Sequence, residues 1–291
     1  MPTAFSHYRT FLLTTIAMLA FAGNSILCRL ALKDDAIDPG SYTLLRMLSG
    51  ALFLIFLLVI KQRHKPAVPL FKAGSWPAAL ALVVYAATLS FGYISIDTGI
   101  GALVLFGCVQ ISMIAISLYQ GHRLTAWEVV GVVLAFAGLV YMLVPGQTAP
   151  SLTGFILMAL SGIAWGVYTL LGRGSETPLA DTAGNFAKGC IPAAILTLVF
   201  FADLDVTLQG TIYAVLSGAL ASGAGYAIWY AVVTKLGISQ AAVVQLSVPI
   251  IAAAGGVVFV GEPVTYRFII AATLVLGGIL IVILSKPRQP S

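Results

Sequence analysis

Ten apolar stretches, each close to twenty residues long, account for most of this 291-residue chain. They lie at about 11–32, 41–60, 76–95, 99–119, 126–144, 152–171, 182–202, 211–234, 238–259 and 264–285. A helix that crosses the hydrocarbon core of a bilayer needs roughly 20 such residues. The runs are continuous and do not alternate with period two, so they predict helices and argue against a β-barrel. Composition points the same way. The chain is 60% hydrophobic and 9% charged, whereas a soluble domain carries about 25% charged residues. A water-soluble core could not hide this much apolar surface. The first run is too long for a signal-peptide core and no small-residue cleavage site follows it, so it is read as a true span. The connections are short, and the polar stretch 61–75 leaves no room for a soluble domain.

Basic residues in the connections set the orientation. With the amino terminus inside, the inner face carries Arg9, Lys61, Arg63, Lys65, Lys72, Arg123, Arg173, Lys235, Lys286 and Arg288. The outer face then holds only Lys33 and Arg267, against Asp34, Asp35, Asp38, Asp203 and Asp205. Both termini are expected in the cytoplasm, which requires an even number of spans.

The chain also repeats itself. "GHRLT" at 121–125 lies over "GEPVT" at 261–265, and "AGLVYMLV" at 137–144 over "GGILIVIL" at 277–284, at a constant offset of 140. "AGNS" at 22–25 lies over "WGVY" at 165–168. Residues 1–148 and 149–291 are thus expected to be two five-helix repeats of one membrane domain. Because five is odd, the second repeat enters from the opposite side. Inverted repeats are an architecture of alternating-access transporters, since exchanging the conformations of the halves moves the opening from one face to the other. A duplicated structural membrane protein is the bland alternative.

Other classes find little support. Cys28, Cys108 and Cys190 all lie inside apolar runs without ligand spacing, and read as small packing residues. His7, His64 and His122 fall outside the runs, so no intramembrane metal site or catalytic dyad is expected, and no cofactor. The net charge of +5 is spread over the connections and forms no nucleic-acid patch. A receptor would need an extramembrane domain to signal through.

The stretch "PIIAAAGGVVFVGEPVT", followed by "LGGILIVIL", resembles the last two helices of the drug/metabolite transporter superfamily, EamA type. "WGVY" at 165–168 looks like that family's sixth-helix motif. The resemblance covers the whole chain and implies metabolite export across a bacterial inner membrane; the YddG-type amino acid exporters are the most similar group. The chain departs from the pattern at Ala22-Gly23-Asn24, where the family often has Trp-Gly-Asn, which leaves an aromatic role to Trp165.

Polar side chains mark the expected path, because in lipid they face the interior or a cavity. Spans five and ten carry almost none and are placed at the periphery, packed through Gly131, Ala135, Gly138, Gly277 and Gly278. Candidate cavity residues are Asn24, Arg46, Tyr85, Gln110, Trp165, Tyr168, Lys188, Tyr226, Trp229, Gln245 and Ser247. Trp76, Trp127 and Tyr266 sit at span ends and fit the interfacial belt. Arg46 and Lys188 occupy similar places in the two repeats. Each can attract a substrate carboxylate, or pair with a carbonyl or with a loop acid such as Asp38 or Asp181. Arg29, near the outer end of span one, is expected to snorkel. Pro249 removes a backbone hydrogen bond and should kink span nine. Glu262, in the turn before span ten, can accept N–H bonds at a helix N-terminus. The expected function is export of small neutral metabolites, amino acids first, by a monomeric facilitator. A multidrug or other metabolite carrier, with or without proton coupling, is the alternative.

Overall fold

The computed structural model describes residues 4–61, 72–119, 121, 124–146, 149–173, 175–199, 205–233, 235–236 and 238–285, with backbone alone at 4–7, 238–240 and 242. Arg63, Lys65, Arg123, Asp203, Lys286 and Arg288, which entered the charge count, lie outside the described residues, as do His64 and His122.

The described chain is helical. Its elements are α1 (Ala4–Leu32), α2 (Pro39–Lys61), α3 (Trp76–Gly92), α4 (Thr98–Tyr119), α5 (Ala126–Leu143), α6 (Leu152–Leu171), α7 (Pro178–Val199), α8 (Leu208–Leu216), α9 (Gly225–Val233), α10 (Ile238–Gln245), α11 (Ser247–Gly255) and α12 (Tyr266–Ser285). A π-helical stretch, Ser217–Ala224, joins α8 to α9, and a second, Gly256–Val260, extends α11. Among the described residues, nine helical segments are long and apolar enough to cross a membrane, counting Leu208–Val233 and Val243–Val260 as single spans. The third expected span is shorter: Trp76–Gly92 has 17 residues. Apolar side chains such as Phe11, Leu52, Phe56, Phe136, Leu198 and Phe259 are exposed on the outside, an arrangement that suits lipid and would aggregate in water.

Helix ends follow from local chemistry. Ser75 caps α3 by accepting from the Ala78 N–H, with Pro77 just inside the start. Thr125 and Glu128 form a reciprocal capping box on α5. The ninth run does not continue as one helix. Pro249 has no N–H for the Gln245 carbonyl and its ring crowds that turn. The helix accordingly breaks at Leu246, between α10 and α11.

α5 packs against α12, α2 against α7, and α3 and α4 against α6, while α1 packs against α9 and α11. No α5 or α12 side chain is among the lining of the central cleft, in keeping with a peripheral pair. Their contact is backbone on backbone. A Cβ built on Gly131 would stand 2.4 Å from the Gly278 carbonyl oxygen, and one on Gly278 2.4 Å from that of Gly131. Gly277, expected in the same seam, instead faces open space. Gly131→Leu should therefore force the two helices apart and destabilise the protein by about 1–3 kcal/mol or more, whereas Gly277→Leu should change little. The Tm values of the two purified variants in detergent check this.

Candidate functional site

A narrow cleft opens among α1, α3, α4, α6, α9 and α10. Phe21, Asn24 and Ser25 come from α1, Tyr85 and Leu89 from α3, and Leu105 and Phe106 from α4. Residues from later in the chain face them: Trp165, Ala221, Ser222, Tyr226 and Gln245. Ala221 and Ser222 belong to the π-helical stretch, where the wider turn interrupts the ordinary ladder beside the cleft, a setting common at functional sites.

Trp165 is the hub. Its ring centroid lies 4.8 Å from that of Tyr85, 5.3 Å from Tyr168 and 5.2 Å from Tyr226, the last nearly parallel at 22°. Phe21 meets Tyr226 at 5.8 Å and supplies an aromatic next to Ala22. Beside this wall runs a polar chain. Ser217 Oγ donates to Asn24 Oδ1 at 2.6 Å, and Asn24 Nδ2 donates to the Tyr85 hydroxyl at 3.1 Å. Arg46 Nη2 donates to the same hydroxyl at 3.1 Å, and its guanidinium carbon lies 5.1 Å from the Tyr85 ring centroid. Arg46 is only 1% exposed, and its Nε and Nη1 have no hydrogen-bond partner among the described residues. Neither loop acid serves it: Asp38 Oδ1 accepts from the Ser41 N–H, and Asp181 is bound elsewhere.

The other expected residues divide. Tyr168 backs Trp165 from a buried position. Trp229 packs on Phe21 at 6.0 Å, outside the cleft lining. Gln245 lines the cleft and donates to the Ala241 carbonyl, and Ser247 donates to the Val244 carbonyl beside the break. Gln110 is half-buried on α4 and absent from the lining. Lys188 is absent from it too. Its Nζ donates to the carbonyls of Ala73 and Gly74, while Asp181 and Asn185 accept the N–H groups of Gly74 and Ser75. Residues 181, 185 and 188 share one face of α7. They satisfy the backbone that leads into α3.

Arg29 does not snorkel. It is 8% exposed and donates from Nε to Glu262 Oε1 at 2.9 Å and from Nη1 to the carbonyls of Tyr93 and Ile94, with Asp97 at 3.6 Å. Glu262 Oε2 accepts the Thr98 N–H at 2.8 Å. It therefore caps α4 rather than its own neighbour α12. Burial, and then the adjacent Glu262 carboxylate, push the Asp97 carboxyl above the usual carboxylate range, opposed by Arg29 and Lys33. The cluster ties α1 to the turns before α4 and α12, at one end of the bundle. Among the described residues, no group of His, Cys, Asp and Glu could hold a metal ion.

An apolar exterior around span-length helices and a polar–aromatic cleft between them mark a multi-pass membrane protein. The chain belongs to the EamA-like transporter family, which matches it twice, over residues 9–144 and 152–284. It is 52% identical over 275 residues to an uncharacterized protein of Pseudomonas aeruginosa, covering 94% of both chains. It is 27% identical to an uncharacterized transporter of Archaeoglobus fulgidus, covering 81% of this chain and 85% of that one. It is 23% identical to the uncharacterized transporter YoaV of Bacillus subtilis, over 84% and 86%. A crystal structure at 18% identity shares the fold, with a TM-score of 0.64 over 93% of this chain and 98% of the other.

Proposed function

We propose that the protein exports small neutral metabolites, amino acids first among them, across a bacterial inner membrane by alternating access. The observation that carries this reading is the make-up of the cleft. Its walls are drawn from both family matches, with Asn24 and Tyr85 from one and Trp165, Tyr226 and Gln245 from the other. Rocking one half against the other would rebuild such a site from face to face. The reading includes ten spans, with α3 as the short one, as two inverted five-helix repeats, both termini in the cytoplasm and a monomeric unit. Reporter fusions at Ser291 and near Pro150 should then report opposite faces. The same face for both would overturn the inversion.

The mixed lining of aromatic rings, amides and hydroxyls suits zwitterions with an apolar side chain. Transport is proposed to be facilitative. Glu128 is engaged in a helix cap, and Asp97 and Glu262 are gathered around Arg29, away from the cleft. In proteoliposomes with the voltage clamped to zero, phenylalanine or leucine should equilibrate at the same rate with or without a pH gradient. No flux of any neutral amino acid would refute the substrate class. Proton-driven accumulation would refute the facilitative mechanism alone.

A further inference from the structure

The Tyr85 hydroxyl accepts two hydrogen bonds, from Asn24 Nδ2 and Arg46 Nη2. Both lone pairs are thereby used, and its own proton finds no acceptor among the described residues. Tyr85 lines the cleft. Behind it stands a guanidinium that is 1% exposed, with Nε and Nη1 unpartnered and no carboxylate paired to it among the described residues. A buried cation without a counter-charge is costly, and its field makes Tyr85 a strong donor toward the cleft. Ser222 Oγ, also on the lining, is buried and has no partner among the described residues. Among the described residues, no Asp or Glu lines the cleft.

We infer that Tyr85, polarised by Arg46 as a positioning residue, forms a carboxylate-recognition point, and that the site does not read a substrate's ammonium group. This rests on the cleft being the substrate site, as proposed above. The ligand class is then a carboxylate on an apolar or aromatic body, which lies against Trp165 and Tyr226. An α-amino group is dispensable. The carboxylate accepts the Tyr85 O–H and supplies Arg46 with a counter-charge through space.

The test is calorimetric binding to purified protein in lipid nanodiscs, with phenylalanine, 3-phenylpropionate, its methyl ester and phenethylamine as probes. Phenylalanine and 3-phenylpropionate should bind alike, each about tenfold or more tighter than the ester or the amine, the size expected for a hydrogen bond to a charged group. In Tyr85→Phe the preference for acid over ester should shrink toward unity while the ester still binds. Arg46→Lys, which keeps the charge, should retain most of the preference. That ratio would not move if either residue served packing alone. Equal binding of acid, ester and amine overturns the inference and leaves the cleft as a site for apolar ligands. Binding of none of the four overturns the inference together with the substrate reading.

Discussion

Glu262→Ala is expected to destabilise the folded protein by about 3–5 kcal/mol, the range for breaking a buried ion pair from one side. The carboxylate serves two partners from different parts of the chain, Arg29 Nε and the Thr98 N–H. Its loss leaves Arg29 buried with Asp97 as its remaining acid, at 3.6 Å, and leaves the first turn of α4 uncapped. The double variant Arg29→Ala with Glu262→Ala removes the charge and its partner together, and is compared with the two single alanine variants and the parent. It should cost markedly less than the sum of the singles, because the singles' main penalty is the orphaned group. Tm values of the four proteins in one detergent complete the cycle. Additive losses would show that the two side chains contribute independently.

Trp165→Ala should lower substrate flux at least about tenfold, the loss of a buried aromatic contact of about 1.4 kcal/mol or more, while Trp76→Ala leaves it near the parent value. Trp165 touches three tyrosine rings within 5.3 Å on the cleft wall. Trp76 is 49% exposed at a helix end. Removing a packed tryptophan also costs roughly 3–5 kcal/mol in stability, so flux must be compared at matched membrane levels. Trp165→Phe separates the two effects, since it keeps a stacking face and should recover part of the flux. Equal flux for Trp165→Ala and Trp76→Ala would reduce Trp165 to packing.

Much of the helix inventory was legible because each run is long, apolar and bounded by polar turns. The break at Pro249 was legible for a covalent reason, the missing N–H. The π-helical stretches were not. An extra residue per turn leaves no mark on a segment such as "SGALASGA", which reads equally well as an ordinary helix. Asn24, Tyr85, Trp165, Tyr226 and Gln245 could be picked as cavity residues because polar or amphipathic groups in lipid seek the interior. Phe21 and Phe106 could not, being apolar residues in apolar runs. The partners of the cations were also hidden. Arg29 and Glu262 are 233 positions apart. The three α7 side chains that bind residues 73–75 face a stretch that sequence alone presents as a loop.

That last arrangement bears on the membrane around the protein. At 1.5 Å per residue, the 17 residues of α3 span about 25 Å, some 5 Å less than a typical hydrocarbon core of roughly 30 Å. Leu80 and Val84 on this helix are about half exposed, so lipid tails meet it directly. On the proposed ten-span reading the backbone at its start lies where unbonded polar groups are expensive, and the hydrogen bonds to Asp181, Asn185 and Lys188 satisfy it from the protein side. The mismatch that remains falls on the lipid. With α3 as the short one of the ten proposed spans, the bilayer beside it is expected to pinch inward, at fractions of a kcal/mol per ångström. Short-chain lipids, already thin, should therefore gather along this flank, and thick membranes should press hardest on the helix that carries Tyr85.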